Sequence, residues 1–322
     1  VLLIFLVEKT AATTPKITKD FIQPWAITYW DETDYDKHFE KLKELDINEI
    51  ILQWTIETKG DELSYRLYPS SLETKEKYDT VLYKFLKQAK KNDIKVYIGL
   101  NNDLLWWQDY QNNLEYLKER NEVSKLIIKE IYDLYYEEFK ETIKGFYSTF
   151  EMYTNNSNFS DNWAYMINDL VLYFENNNLN LPIIFSFFLS EYAGGSNEDI
   201  FNTFDLLFKT IKLREIDIIL PMDGYMNAAN NAKKFEKSKL YLDTMYDCFI
   251  KYQKAQFIIN IEMFYEDNAQ FKVASFKRIK EQLKNANKYN KEEIVSFSVS
   301  HHIIIEGNQH IYADYKRYVS KK

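Results

Sequence analysis

Short uninterrupted apolar runs alternate with longer amphipathic stretches along almost the whole chain, and this rhythm constrains the fold more than any other feature. The runs predict strands at Phe21–Trp30, Asn48–Trp54, Ile94–Leu100, Gly145–Phe150, Ile183–Leu189, Ile216–Met222, Phe257–Ile261 and Ile294–Val299. Their apolar residues are largely continuous, as expected of parallel strands buried on both faces. The stretches between them carry the helical period. They predict helices at Asp34–Asp46, Tyr78–Lys91, Asn121–Thr142, Asp161–Glu175, Glu198–Lys212, Lys233–Lys251, Phe271–Asn287 and Ile311–Val319. In the first of these Tyr35, Phe39, Leu42 and Leu45 form one stripe, with Thr33 or Asp34 as the cap. A long loop is expected between the second strand and Lys77.

Eight strand–helix units force parallel strands with right-handed crossovers. The expected fold is therefore α/β, a single-domain (β/α)8 TIM barrel. An open doubly wound sheet would carry a glycine-rich phosphate turn after its first strand. Here Asp31-Glu32-Thr33 follows, and no G-x-G-x-x-G or phosphate-binding loop occurs anywhere, which argues against a nucleotide cofactor. No other cofactor is called for. The 322 residues are 46% hydrophobic, enough for one large core. A net charge of −8 argues against a nucleic-acid partner, which would need a basic face to meet phosphates. The one cysteine, Cys248, allows no internal disulfide and shares helix-core spacing with Met245, Phe249 and Tyr252.

Residues 1–19 read as a remnant of a signal or membrane anchor followed by a tether, and residues 20–322 as the barrel. Val1–Val7 (VLLIFLV) is wholly apolar and precedes Glu8-Lys9 and a Thr/Ala/Pro-rich stretch. The run is too short to span a bilayer by itself. It gives the expectation of an exported protein at the cell surface, tethered by that anchor.

In a barrel of this kind the chemistry sits at the C-terminal strand ends. Those ends read Tyr29-Trp30-Asp31, Gln53-Trp54 with Glu57 beyond, Asn101-Asn102-Asp103, Glu151, Ser190-Glu191, Asp223-Gly224-Tyr225, Glu262 and His301-His302. This mouth is acidic, aromatic and rich in amides. Such a set suits a sugar polymer, which needs carboxyl groups for acid–base work, amides for hydroxyls and flat rings for stacking. Strands four and seven lie nearly opposite across the axis, so Glu151 and Glu262 can converge. Cleavage of a glycosidic bond with retention needs two carboxyl groups about 5–5.5 Å apart, one protonated and one ionised.

This layout, with Glu151 in FYSTFEMY and Glu262 in IINIEMF, resembles the clan of retaining barrel glycosidases that includes family 5 cellulases. The resemblance implies Glu151 as acid/base and Glu262 as nucleophile. The segments FIQPWAITYWDE, INEIILQW, RLYPSSL, ILPMDGY and ADYKRY are also similar to a clostridial family of exported hydrolases that accompanies biofilm cellulose synthesis. That likeness implies an endo-β-1,4-glucanase acting on exopolysaccharide, with cellulose as substrate and a cellulose synthase complex as partner; the chain is expected to be a monomer. The chain departs from the cellulase pattern in having Phe150 before the acid/base, Asn101-Asn102 after strand three and His301-His302 after strand eight.

Asn101, Asn102, Asp223, Tyr225 and His301 are expected to orient hydroxyls, with Tyr225 also a candidate to hold the nucleophile. Trp54, Trp106 and Trp107 are expected to stack sugar rings, and Tyr29 and Trp30 to line the cleft base. No metal is expected, because adjacent residues on a strand point to opposite faces, which keeps His301 and His302 from one ion. Two other readings keep parts of this set. One is a glycan-binding barrel without catalysis. The other is a metal-dependent polysaccharide hydrolase or deacetylase using His301 or His302.

Overall fold

The computed structural model describes residues 14–60, 62–108, 110–153, 160–189, 196–228, 232–267 and 270–320. Eight parallel strand positions form the barrel wall. They are β1 (Lys19–Ile22), β2 (Glu49–Leu52), β3 (Lys95–Gly99), β4 (Ile143–Tyr153), β5 (Ile183–Phe188), β6 (Ile218–Pro221), β7 (in two pieces, Gln256–Phe257 and Ile259–Glu262) and β8 (Ile294–Phe297). Each pairs in parallel with the next. β8 returns to β1 through Lys19↔Val295 and Asp20↔Ser296, so the pairings run round in a ring.

The inside of the ring is filled by one or two side chains from every strand: Phe21, Ile51, Tyr97, Tyr147, Ile184, Ile218, Leu220, Ile258 and Val295. Their sequence neighbours, such as Ile50 and Leu52 on β2, point outward into a second apolar layer beneath the helices. This is why the strands read as continuous apolar runs. The main helices are α1 (Glu32–Glu44), α2 (Val81–Lys91), α3 (Leu114–Ile131), α4 (Ser160–Asn176), α5 (Asn197–Thr210), α6 (Ala232–Tyr252), α7 (Phe276–Ala286) and α8 (Gln309–Val319). Cys248 is buried on α6, as its spacing predicts.

Several boundaries differ from expectation for local reasons. β1 stops at Ile22, because Pro24 cannot donate to a ladder and opens a short helical turn, Pro24–Ile27. The cap of α1 is Asp31, whose carboxylate accepts from the Thr33 and Asp34 amides. The expected loop before Lys77 holds strands at Ile56–Lys59, Glu62–Arg66 and Glu76–Lys77, which form a small sheet with Asn101–Asp103. The long helix after strand three starts at Leu114, where Asn113 caps it. A hairpin, Phe264–Asp267 with Gln270–Val273, precedes α7, which starts at Phe276. β8 ends at Phe297, and a helical turn carries Ser300–Ile305. Gly99 is required where β3 meets β2, since a Cβ there would lie 2.0 Å from the Gln53 carbonyl oxygen.

Val1–Val7, the expected anchor, lies outside the described residues, as does Glu191. No helix among the described residues is long and apolar enough to cross a membrane.

The β8–β1 closure depends on Asp20, which is wholly buried. Its carboxylate accepts from the Ser296 hydroxyl, from Val299 N at 2.8 Å and from Ser300 N at 2.7 Å. Burial still pushes its carboxyl up to about 6. Asp20→Ala strands these donors in the interior, and the expected cost is about 3 kcal/mol or more, read by urea unfolding. A loss under about 1 kcal/mol would show that the closure does not depend on this carboxylate.

Candidate active site

The C-terminal ends of β4 and β7 bring Glu151 and Glu262 to one cavity of about 470 Å³ at the barrel mouth. The rest of its described wall is apolar: Trp107, Phe188 at the end of β5, Met222 after β6, Met226, Phe264 and Phe297. Glu151 is half-buried, and Glu262 is 2% exposed.

The two carboxyl groups differ in their partners. Glu151's side chain takes no hydrogen bond from a described residue, and burial alone pushes its carboxyl up to about 8. Its backbone is fixed instead: Trp106 Nε1 donates to the Glu151 carbonyl oxygen at 2.9 Å, with the indole against Phe150. Glu262 Oε2 accepts from Met226 N at 2.6 Å, while Oε1 takes no donor from a described residue. Burial, then the charge of Asp223, push Glu262 up to about 8 as well. The Met226 amide and Arg278 pull the other way, and the charge of Glu151 adds a further push.

Asp223 organises this end of the barrel. Its Oδ1 accepts from Tyr225 N and Glu262 N, each at 3.2 Å, and its Oδ2 accepts from Gln282 Nε2 at 2.8 Å. The same Gln282 nitrogen donates to the Glu262 carbonyl oxygen at 2.8 Å. Asp223 is itself pushed up to about 6 by burial, against the pull of Gln282. The turn that aims the Met226 amide at Glu262 needs Gly224, whose φ is +70° and whose Cβ position lies 2.3 Å from the Leu189 carbonyl oxygen.

Most of the other expected sugar-binding residues lie elsewhere. Trp107 does line the cavity, 54% exposed and stacked on Tyr153 at 5.2 Å. Trp106 is buried as the prop of Glu151 and offers no stacking face. Trp54 is also buried and donates to the Tyr65 hydroxyl. Asn101 is wholly buried and held by Thr58, and Asn102 donates to Glu57 at 3.4 Å on the rim. Asp223 and Tyr225 are buried, and the Tyr225 hydroxyl accepts from Asn285 on α7, so it does not hold Glu262. Because β1 ends early, Tyr29 stands 83% exposed beside Tyr78, and Trp30 packs on Tyr35 and His38. Neither Tyr29 nor Trp30 forms the cleft base.

His301 and His302 belong to a helical turn rather than to a strand, yet they still diverge. His301 Nε2 accepts from Gln23 N at 2.9 Å, and His302 Nδ1 meets Glu306 at 3.0 Å. Burial, then the neighbouring His302, pull His301 down to about 4, so it is neutral at pH 7. Among the described residues, no group of three or more His, Cys, Asp or Glu side chains could hold a metal ion. The sequence reading missed the wall residues Phe188, Met222, Met226, Phe264 and Phe297, and the supports Gln282 and Arg278. Apolar residues at strand ends read as core, and nothing in the helical spacing marks Gln282 apart from its neighbours.

Two carboxyl groups held near 8 must shape the pH dependence of stability. Unfolded, each ionises near 4.5; folded, each keeps its proton to about 8. Between those values the unfolded chain has released protons that the folded chain retains, so rising pH favours unfolding. Glu151→Gln is expected to raise Tm by more at pH 8 than at pH 5. An equal shift at both values would contradict the burial of Glu151.

No sequence among curated proteins matches the chain. Solved structures with the same fold include a candidate α-L-fucosidase from Bacteroides thetaiotaomicron (TM-score 0.72, 18% identity, covering 96% of this chain and 94% of that one). An endo-1,4-β-mannanase from Rhizomucor miehei has TM-score 0.61 and 12% identity, over 95% of each chain. An endo-β-1,4-mannanase from Thermotoga petrophila has TM-score 0.60 and 9% identity, over 97% of this chain and 78% of that one. These likenesses establish the barrel fold. The model of the DUF4434 family, described as a domain of unknown function, matches residues 17–308, and the chain therefore belongs to that family.

Proposed function

We propose that the chain is a retaining glycoside hydrolase acting on a β-linked glucan, with Glu151 as acid/base and Glu262 as nucleophile. The observation that carries this reading is the pair of glutamates at opposite strand ends facing one cavity with unlike partners. The Met226 amide favours the ionised form of Glu262, and its Oε1, which no described residue holds, is the atom that attacks the anomeric carbon. Glu151, with no such donor among the described residues, retains the proton and passes it to the leaving oxygen. The negative charge of Glu262 is then consumed in the glycosyl ester. Glu151, now a buried carboxylate with a raised affinity for protons, draws one from water as that water attacks the ester.

The β-1,4-glucan specificity, an endo mode and a role in exopolysaccharide turnover at the cell surface rest on the sequence resemblance and the apolar Val1–Val7 run. Two of the fold neighbours are named as endo-β-1,4-mannanases, which supports the linkage. A second reading is a hydrolase of 6-deoxyhexosides. Phe188, Met222, Met226 and Phe264 suit a methyl group better than a hydroxymethyl, and a candidate α-L-fucosidase shares the fold.

The test is reducing-sugar release from soluble β-glucans and mannans beside hydrolysis of a chromogenic α-L-fucoside. Activity on a β-glucan is expected to fall about 10³-fold or more in both Glu151→Gln and Glu262→Gln. Activity surviving both substitutions would overturn the assignment. Cleavage of the fucoside alone would select the second reading, and glycan binding without cleavage would select the non-catalytic barrel. The profile of kcat/KM against pH is expected to be a bell centred near 8. Acid protonates Glu262, alkali ionises Glu151, and burial holds both groups near that value. An optimum near pH 5 would contradict the account of their burial.

A further inference from the structure

A second exposed indole stands at the barrel mouth, and neither the cavity nor the chemistry above uses it. Trp25 lies in the Pro24–Ile27 turn directly after β1 and is 57% exposed. Its ring is not free to swing. Trp25 Nε1 donates to Gln23 Oε1 at 2.7 Å, and the indole lies over the His301 imidazole with centroids 4.9 Å apart and 31° between planes. His301 is in turn held by the Gln23 backbone amide. One apolar face of Trp25 is thus backed by a rigid support while the rest meets solvent.

The hydrogen bonds beside the ring have one consistent direction. An indole N–H can only donate, so Gln23 must present its oxygen to Trp25. Its amide nitrogen then donates to Gln53 Oε1 at 2.7 Å. Gln53 must therefore present its own oxygen to Gln23, and its Nε2 is left as a donor that no described residue takes. A fixed flat apolar ring with a spare amide donor beside it matches the chemistry of a pyranose. The sugar's C–H face stacks on the ring, and a hydroxyl accepts from the amide.

All strand ends share one mouth, because the strands are parallel. Trp107 rests on Tyr153 and Phe188, at the ends of β4 and β5. From there the cavity wall runs past Met222 and Glu262 to Phe297 at the end of β8. Next around the rim come His301 and Trp25, with Gln53 at the end of β2. Glu262 therefore falls between two exposed indoles on different sectors of the mouth, and Glu151 lies on β4 beside Tyr153, which carries Trp107.

We infer that Trp25, backed by His301 and flanked by Gln53, is a distal sugar-binding subsite, and that the substrate is a glycan chain reaching from Trp107 to Trp25 and cut at an internal bond. This inference rests on the glycosidase reading of the same mouth.

The test uses the full chain carrying Glu262→Gln, titrated calorimetrically with cello-oligosaccharides from the disaccharide to the hexasaccharide, with and without Trp25→Ala. Trp25→Tyr serves as the conservative variant, and thermal unfolding checks that each variant is folded. Affinity is expected to rise with chain length. Trp25→Ala is expected to weaken the hexasaccharide about tenfold or more but the disaccharide by less than about twofold, with Trp25→Tyr recovering most of the loss. In the active enzyme the same substitution should raise KM on long chains far more than it lowers kcat. Affinity that stops rising at the disaccharide, equal affinity of Trp25→Ala for every length, or no binding at any length would overturn the subsite. Length-dependent, Trp25-dependent binding with no release of reducing ends by the wild-type chain would instead retain the subsite and sink the glycosidase reading.

Discussion

One buried carboxylate fixes the geometry on which the site depends. Asp223 accepts from the backbone of Tyr225 and of Glu262 and from the side chain of Gln282. These bonds dock the end of β7 against the turn that follows β6. They set where the Glu262 side chain leaves the strand and where the Met226 amide meets it. Gln282 ties the arrangement to α7 by also bonding the Glu262 carbonyl oxygen. Arg278, one turn earlier on α7, donates to the Tyr225 carbonyl oxygen at 2.6 Å and lies over the Tyr225 ring. Its positive charge offsets part of the acidity gathered there.

The site is built against the stability of its own scaffold. Burying Glu151 and Glu262 in an apolar wall costs folding free energy as pH rises, yet it holds both groups near neutrality, where a proton donor is useful. Trp106 shows how the rest compensates. It bonds the Glu151 backbone, so that glutamate is positioned with no described side-chain donor that would lower its affinity for protons.

The fold was legible because the barrel imposes its demands locally. Ile50, Ile51 and Leu52 must bury alternate faces in two layers, which leaves an unbroken apolar run in the sequence. The strand ends that follow such runs place Glu151 and Glu262 on one rim, so the pair was legible too. The second layer was not. Whether Asn101 faces a ligand or a neighbouring Thr58 depends on the small sheet with Ile56–Lys59, which has no signature in the sequence. Trp25 and Trp30 look alike in FIQPWAITYWDE, but Pro24 starts a helical turn that leaves one exposed and packs the other on His38. After β8 the same failure occurred in register, and Phe297 rather than His301 reaches the cavity.

The central claim is that Glu262 attacks the sugar while Glu151 carries the proton. Its most direct test is to incubate the chain with a 2-deoxy-2-fluoro-cellobioside bearing an activated leaving group and to map the product by peptide mass spectrometry. The account requires one glycosyl group esterified to the peptide containing Glu262, formed by the wild-type chain and absent from Glu262→Gln. A label on Glu151, or steady turnover of a β-glucan with no trapped ester on either glutamate, would contradict it.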